Sequence, residues 1–224
     1  MLKTINALYY RCIKSLLRLI SIRKHCVLKL NLTSELTPVT AQIPVECLPV
    51  TLDDIVSISE FASDGTIAEL RKLASTPKYS VVYAFKDRKA LGYLCSAVCI
   101  SGLWRVNGYW QISAGEAFLF KGRVDNVFRG HRIFGAMATK LCELLFTNGV
   151  STVYVESEVH NMPSIQGLTN VGFQLIGVRR YIVFANRIIF DLGWSQKFHE
   201  RASERPSLIR RERAIKPRGD IHAG

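Results

Sequence analysis

The chain has 224 residues, enough for one sizeable core, with 48% hydrophobic and 21% charged residues, a balance that excludes a chain disordered throughout. Its net charge of +12 sits at the ends: residues 1–30 hold seven Lys/Arg and no acid, and residues 194–224 hold eight against four. Residues 31–193 are left at +1, so a basic nucleic-acid groove across the middle is not expected.

In chain order, residues 1–22 have helical periodicity. Lys3, Arg11, Lys14 and Arg18 fall in one narrow wedge and apolar residues cover most of the rest. The longest charge-free run, residues 4–10, is too short to cross a bilayer, and the segment lacks the pattern of a signal peptide. Lying on an anionic membrane surface, packing on the domain, binding a partner and serving as a transit peptide all stay open. Residues 25–32 predict a first strand, and 43–50 an edge strand interrupted by Pro44 and Pro49. Helices follow over 51–61, with Asp53 and Asp54 in the first turn, and from Asp64, carrying Ile67, Leu70 and Leu73. Segments 79–85 and 90–98 flank a polar turn as a hairpin. Segment 115–125 is a further strand, with Gly122 marking a bulge or a close backbone approach. Residues 133–146 are a helix with Ile133, Met137, Leu141, Leu144 and Leu145 on one face, closed by Asn148 and Gly149. Segment 151–159 alternates, with Val153, Val155 and Val159 on one face and Tyr154, Glu156 and Glu158 on the other. A short helix over 163–170 and strands over 173–184 and 187–192 complete the domain. From Trp194 the periodicity fails, and the basic end reads as a solvated tail. The six cysteines show no C-x-x-C or zinc spacing and read as small buried hydrophobes in a reducing compartment. This order predicts an α/β (α+β) fold with a mixed, mostly antiparallel central sheet and flanking helices.

The chemistry concentrates between the 115–125 strand and the 133–146 helix, in Val124-Asp125-Asn126-Val127-Phe128-Arg129-Gly130-His131-Arg132-Ile133-Phe134-Gly135. A helix N-terminus presents unpaired N–H groups and the positive end of the dipole. Arg129, His131 and Arg132 add positive charge there, and a pyrophosphate suits that chemistry. A solvated basic loop is the plainer alternative. A second segment, Asn161-Met162-Pro163-Ser164 with Gly172-Phe173 after it, reads as strand–turn–helix–turn–strand.

Together the two segments resemble the GNAT acyl-CoA N-acyltransferases. Phe128-Arg129-Gly130-His131-Arg132-Ile133-Phe134 is similar to the family's aromatic-Arg-Gly-x-Gly-Ile-Gly run, and Asn161-x-x-Ser164 with Gly172-Phe173 to its Asn-x-x-Ala/Ser and Gly-Phe pair. The resemblance implies that strands 115–125 and 151–159 splay apart and hold the pantetheine arm of acetyl-CoA, or of another acyl-CoA, between them. It places the Val124 backbone on that arm, the N–H groups from Arg129 through Gly130, His131, Arg132 and Ile133 to Phe134 on the pyrophosphate, and Asn161 as an orienting group. Two of the signature's glycines are Arg132 and Phe134 here, so the Phe134 ring has to point away from the phosphates and Arg132 has to compensate by charge. Leu168 stands where the family's frequent thiolate-protonating Tyr would be.

The implied reaction is direct attack of a primary amine, on an unidentified small-molecule acceptor, at the thioester carbonyl. It needs a base, for which Glu116 and Glu156, one on each splayed strand, are the candidates, with Ser164 as a candidate proton donor. No metal is implied. Structural carboxylates and a capping hydroxyl are the plain alternatives. Trp104, Tyr109 and Trp110 either line an acceptor pocket or pack. A CoA-binding protein without catalysis, and a nucleic-acid or membrane-surface binder working through the basic ends, are the competing functions. The expected organisation is a basic amphipathic helix and lead-in (1–30), the acyltransferase domain (31–193) and a basic tail (194–224), in the cytoplasm or peripherally at the inner membrane surface.

Overall fold

The computed structural model describes residues 20–33, 36, 38–50, 62–87, 89–106, 110–185, 187–194 and 207–208. The helix expected over 51–61 and most of the amphipathic segment 1–22 lie outside these residues, as does most of the basic tail.

The strands are β1 (Ile20–Asn31), β2 (Glu46–Pro49), β3 (Tyr79–Lys86), β4 (Lys89–Val98), β5 (Leu103–Val106), β6 (Trp110–Ser113), β7 (Glu116–Val124), β8 (Thr152–Glu158), β9 (Gln174–Phe184), β10 (Arg187–Trp194) and β11 (Ser207–Leu208). The helices are α1 (Asp64–Ala74), α2 (Ile133–Thr147) and α3 (Met162–Val171). Nine strands form one sheet in the order β11-β10-β9-β1-β8-β7-β4-β3-β2, and β5 and β6 make a separate hairpin. Neighbours in the large sheet run antiparallel except β7 and β8, which are parallel and joined by α2 as the crossover. The expected mixed, mostly antiparallel sheet with flanking helices is therefore the observed one.

Each helix forms because its apolar residues recur on one side. α2 buries Ile133, Met137, Leu141 and Leu145 at 0–1% exposure, each such side chain being worth about 2 kcal/mol. They pack on Leu28, Leu91, Leu94, Leu119, Val153 and Val155, from one face of the central strands. α1 packs Ile67, Leu70 and Leu73 on Val81, Tyr83 and Tyr93, residues of β3 and β4 that point to the opposite face. Asp64 in its first turn and Arg71 and Lys72 in its last suit the helix dipole. The β5–β6 hairpin, not anticipated from sequence, covers that second face near the sheet centre with Trp110 and Ile112.

The N-terminal boundary has to be corrected. β1 is no lead-in: it runs between β8 and β9 and pairs with both. The folded unit therefore reaches back to Ile20, and Ile20–Ile22 are strand rather than the end of a helix. A strand with two ladders cannot be outside the domain, since removing it orphans the backbone groups of both neighbours. At the other end Ser207–Leu208 pairs with β10. Cys26, Cys95, Cys99 and Cys142 are buried free thiols; burial pushes Cys95 and Cys142 up to about 12.

Candidate functional site

β7 and β8 pair only from Glu116↔Thr152 to Leu119↔Val155. Beyond that point β7 continues to Val124 on β4 alone, and Glu156–Glu158 of β8 follow β1. The two strands thus part, as the resemblance implies. A bulge accompanies the parting: Phe120 to Arg123 on β7 oppose only Cys95 to Tyr93 on β4, and Lys121 adopts φ +51°. Gly122 lies in this bulge, where the sequence pattern puts it. The Asp125 N–H bonds Leu91 O at 2.8 Å. By strand alternation the N–H and C=O of Val124 then point the other way, into the opening.

The loop to α2 is built from local bonds. Asp125 accepts Val127 N–H at 3.2 Å and starts a short 3-10 turn over Asn126–Phe128. Arg129 Nε donates to Val124 O at 3.4 Å. His131 Nδ1 lies 3.2 Å from Phe128 O and 3.1 Å from Arg129 O, and two carbonyl neighbours require that this nitrogen carry the proton. Gly130 (φ +85°) and Arg132 (φ +60°) turn the chain into the helix. Arg132 thus keeps a left-handed conformation that glycine adopts without strain. The N-cap residue Arg132 makes no side-chain cap bond, and the first-turn N–H groups of Ile133, Phe134 and Gly135 face the loop, with the exposed Arg129 and Arg132 beside them. Phe134 turns its ring away from the loop, toward Gly122 and Gly167.

Across the opening, Asn161 Oδ1 accepts Ser164 N–H at 3.4 Å and caps α3. The capping role considered for Ser164 therefore belongs to Asn161. Gly172 (φ +107°) ends the helix in the left-handed region. Leu168 is buried in the core.

The two carboxylates part company. Glu116 sits at the closed end of the β7/β8 pair. Its Oε2 accepts Ser113 N–H at 2.7 Å and its Oε1 accepts the Tyr154 hydroxyl at 3.2 Å, so it ties the β6–β7 turn to β8. Glu156 is the first residue of β8 past the fork, its side chain only 4% exposed. Oε1 accepts the Tyr181 hydroxyl, and Oε2 lies 3.5 Å from His25 Nδ1. That Oε2 and His25 Nε2 are buried without a hydrogen-bond partner among the described residues. Behind them Arg179 Nε donates to Asp191 Oδ2 at 2.9 Å, and Gly193 N–H holds Oδ1 at 2.8 Å. Burial opposes the Arg179 charge, but the hydrogen bond and charge of Asp191, with Tyr181 and Glu156 nearby, outweigh it and raise its pKa further. The Arg179 guanidinium lies 4.7 Å from the Trp110 ring. Trp110 therefore packs, at 1% exposure, while Trp104 stacks edge-on against Tyr79 at 5.4 Å; Tyr109 lies outside the described residues.

Four adjacent strands, β8, β1, β9 and β10, thus each bring a titratable group to one face. His25, Arg179, Tyr181 and Asp191 were not among the residues singled out from sequence. Strand alternation alone would have put His25 on one face with Val27, but nothing local says that this strand lands beside Glu156.

No family model and no curated protein sequence matches the chain. Similarity appears among solved structures. A Drosophila protein from a structural-genomics programme aligns with TM-score 0.52 and 13% identity over 75% of this chain; the chain spans about half, 52%, of that protein. An aminoglycoside 6'-N-acetyltransferase from Acinetobacter baumannii aligns with TM-score 0.46 and 16% identity, over 58% of this chain and 91% of its own. An aminoglycoside N-acetyltransferase in complex with CoA aligns with TM-score 0.47 and 14% identity, over 58% of this chain and 91% of its own. With its antiparallel half, its single parallel pair that forks, and a basic turn opening the crossover helix, the chain has the architecture that the resemblance in its sequence implies.

Proposed function

We propose that this protein is an acyl-CoA N-acyltransferase, acetyl being the simplest acyl group, acting on a primary amine of a small-molecule acceptor. The observation that carries the proposal is the fork of β7 and β8, with a helix start and two exposed arginines at its mouth and a buried, half-satisfied carboxylate at its apex.

The loop end suits the phosphates of the acyl-CoA substrate. Its first-turn N–H groups and the Arg129 and Arg132 side chains meet an anion with dipole and charge together. The Val124 N–H, pointing into the opening, suits an amide-bearing arm, and its C=O anchors Arg129 beside it. The thioester supplies the activated acyl group.

Glu156 is the base in this reading. Tyr181 holds one carboxylate oxygen, and Oε2, 3.5 Å from His25 Nδ1, has no hydrogen-bond partner among the described residues; a buried unsatisfied oxygen is where a proton acceptor is useful and otherwise costly. Being 4% exposed, it takes the acceptor's ammonium proton through water rather than by contact. Glu116 has both oxygens engaged and serves as a strut. Ser164 sits at the start of α3, where its backbone N–H is held by Asn161, and Leu168 supplies no acid, so the leaving thiolate is protonated from solvent.

A second reading, CoA binding without transfer, is favoured by Leu168 and by the ring of Phe134. One experiment separates them: calorimetric titration of CoA, followed by thiol release and product mass on a panel of amines with acetyl-CoA. Binding with release supports transfer, and binding without release on any amine supports the second reading. Arg129→Glu lowers CoA affinity by about tenfold or more, as expected for a lost charge-assisted hydrogen bond. Unchanged affinity would remove the loop from the site.

A further inference from the structure

The Phe134 ring lies between β7, past its last pair with β8, and α3, the helix that follows β8. A Cβ built on Gly122 of β7 would lie 2.5 Å from Phe134 Cε2, and one built on Gly167 of α3 would lie 3.3 Å from Phe134 Cδ1. The atoms belong to opposite edges of the ring, so the ring bridges from the strand to the helix, and each wall carries a glycine where it is met. Gly122 lies past the last β7/β8 pair, Leu119↔Val155. The ring therefore spans from β7 to α3 just beyond the point where β7 and β8 part, packed against the edge of the core. Leu94 Cδ1, 2.9 Å from the same built Cβ, closes the floor beneath the ring.

We infer that Phe134 is the gate of this groove: the loop accepts the phosphates of acyl-CoA directly, whereas the slender arm enters only after the ring swings out. This rests on the acyl-CoA reading above. The ring is free to move because Phe134 is the second residue of α2. No helical turn precedes it, so the rotamer that a mid-helix aromatic avoids is open to it. It is also only partly buried, so leaving the groove forfeits part of an aromatic burial. Apparent affinity for the whole cofactor is then lowered by the fraction of molecules with the groove open. The phosphate end alone is not subject to that factor.

The test is a pair of calorimetric titrations on the full chain, with CoA and with adenosine 3',5'-bisphosphate, which lacks the arm. Phe134→Ala binds CoA about tenfold tighter than the native chain, while the nucleotide binds both alike. Phe134→Leu, which keeps an apolar side chain in the helix start, gives an intermediate gain and stands in if the alanine variant is unstable by circular dichroism. Equal CoA affinity in all three chains overturns the gate and leaves the acyl-CoA reading standing. Nucleotide binding that rises with CoA binding also overturns it, since the ring would then act on the loop. Absence of binding of either ligand to any of the three overturns the acyl-CoA reading, and the gate with it.

Discussion

The closed and open ends of the β7/β8 pair contain the same residue types in different states. At the closed end Glu116, Tyr154 and the Ser113 backbone satisfy one another. At the open end Glu156 and Tyr181 repeat the carboxylate–tyrosine contact, but Oε2 is left without a hydrogen-bond partner among the described residues, 3.5 Å from His25 Nδ1, and the far nitrogen of that ring, Nε2, is left without one as well. The difference follows from strand geometry. Where β7 and β8 pair, their side chains pair too; where they part, Glu156 is supported only from the β1 side, by strands β1 and β9. A satisfied network rigidifies, and an unsatisfied one is retained at a cost that function can justify.

The largest effect expected from this contrast is on turnover. Glu156→Gln slows it by about a hundredfold or more, the range of a lost general base, with CoA affinity unchanged. Glu116→Gln leaves turnover within about threefold and instead costs about 1 kcal/mol of stability. Steady-state kinetics with the identified amine and urea melts check both, and equal loss of turnover in the two variants breaks the comparison. Next comes the support behind the open end. Asp191→Asn strands the buried Arg179 charge and costs about 3–5 kcal/mol, read as an earlier urea midpoint; a change near zero would mean that the pair is not buried in solution. The smallest effect lies at the mouth of the fork. Arg132→Gly relieves a left-handed residue and raises stability by roughly 1 kcal/mol, while removing a cation from the loop. Melting temperature up and CoA affinity down is the expected signature, and both moving down would mean that the Arg132 side chain contributes more to the fold than its backbone conformation costs.

Much of the loop side was legible in the sequence because its determinants are local. Gly122 announced the bulge, the apolar spacing of residues 133–145 announced α2, and Asn161 with Pro163 announced the start of α3. The clean alternation of residues 153–156 put Val153 and Val155 on the helix face and Glu156 on the other. The opposite face was not legible. The amphipathic pattern of residues 1–22 ran into the strand starting at residue 20, and a strand forming two ladders carries no mark of which neighbours it will find. The β5–β6 hairpin was missed because its strands are short, four residues each, and Trp104 and Trp110 read equally well as pocket or packing.

By itself, then, the sequence determined the order of the elements other than the β5–β6 hairpin, the basic turn at the helix start and which faces of α2 and β8 are apolar, since each depends on residues within a few positions. Tertiary structure alone decided that β1 lies between β8 and β9 and brings His25 to Glu156, that Glu116 is tied off while Glu156 is not, and that the Phe134 ring spans from β7 to α3. Those facts depend on strand register and on distances between segments far apart in the chain, and side-chain pairing across a sheet is set by which strands meet.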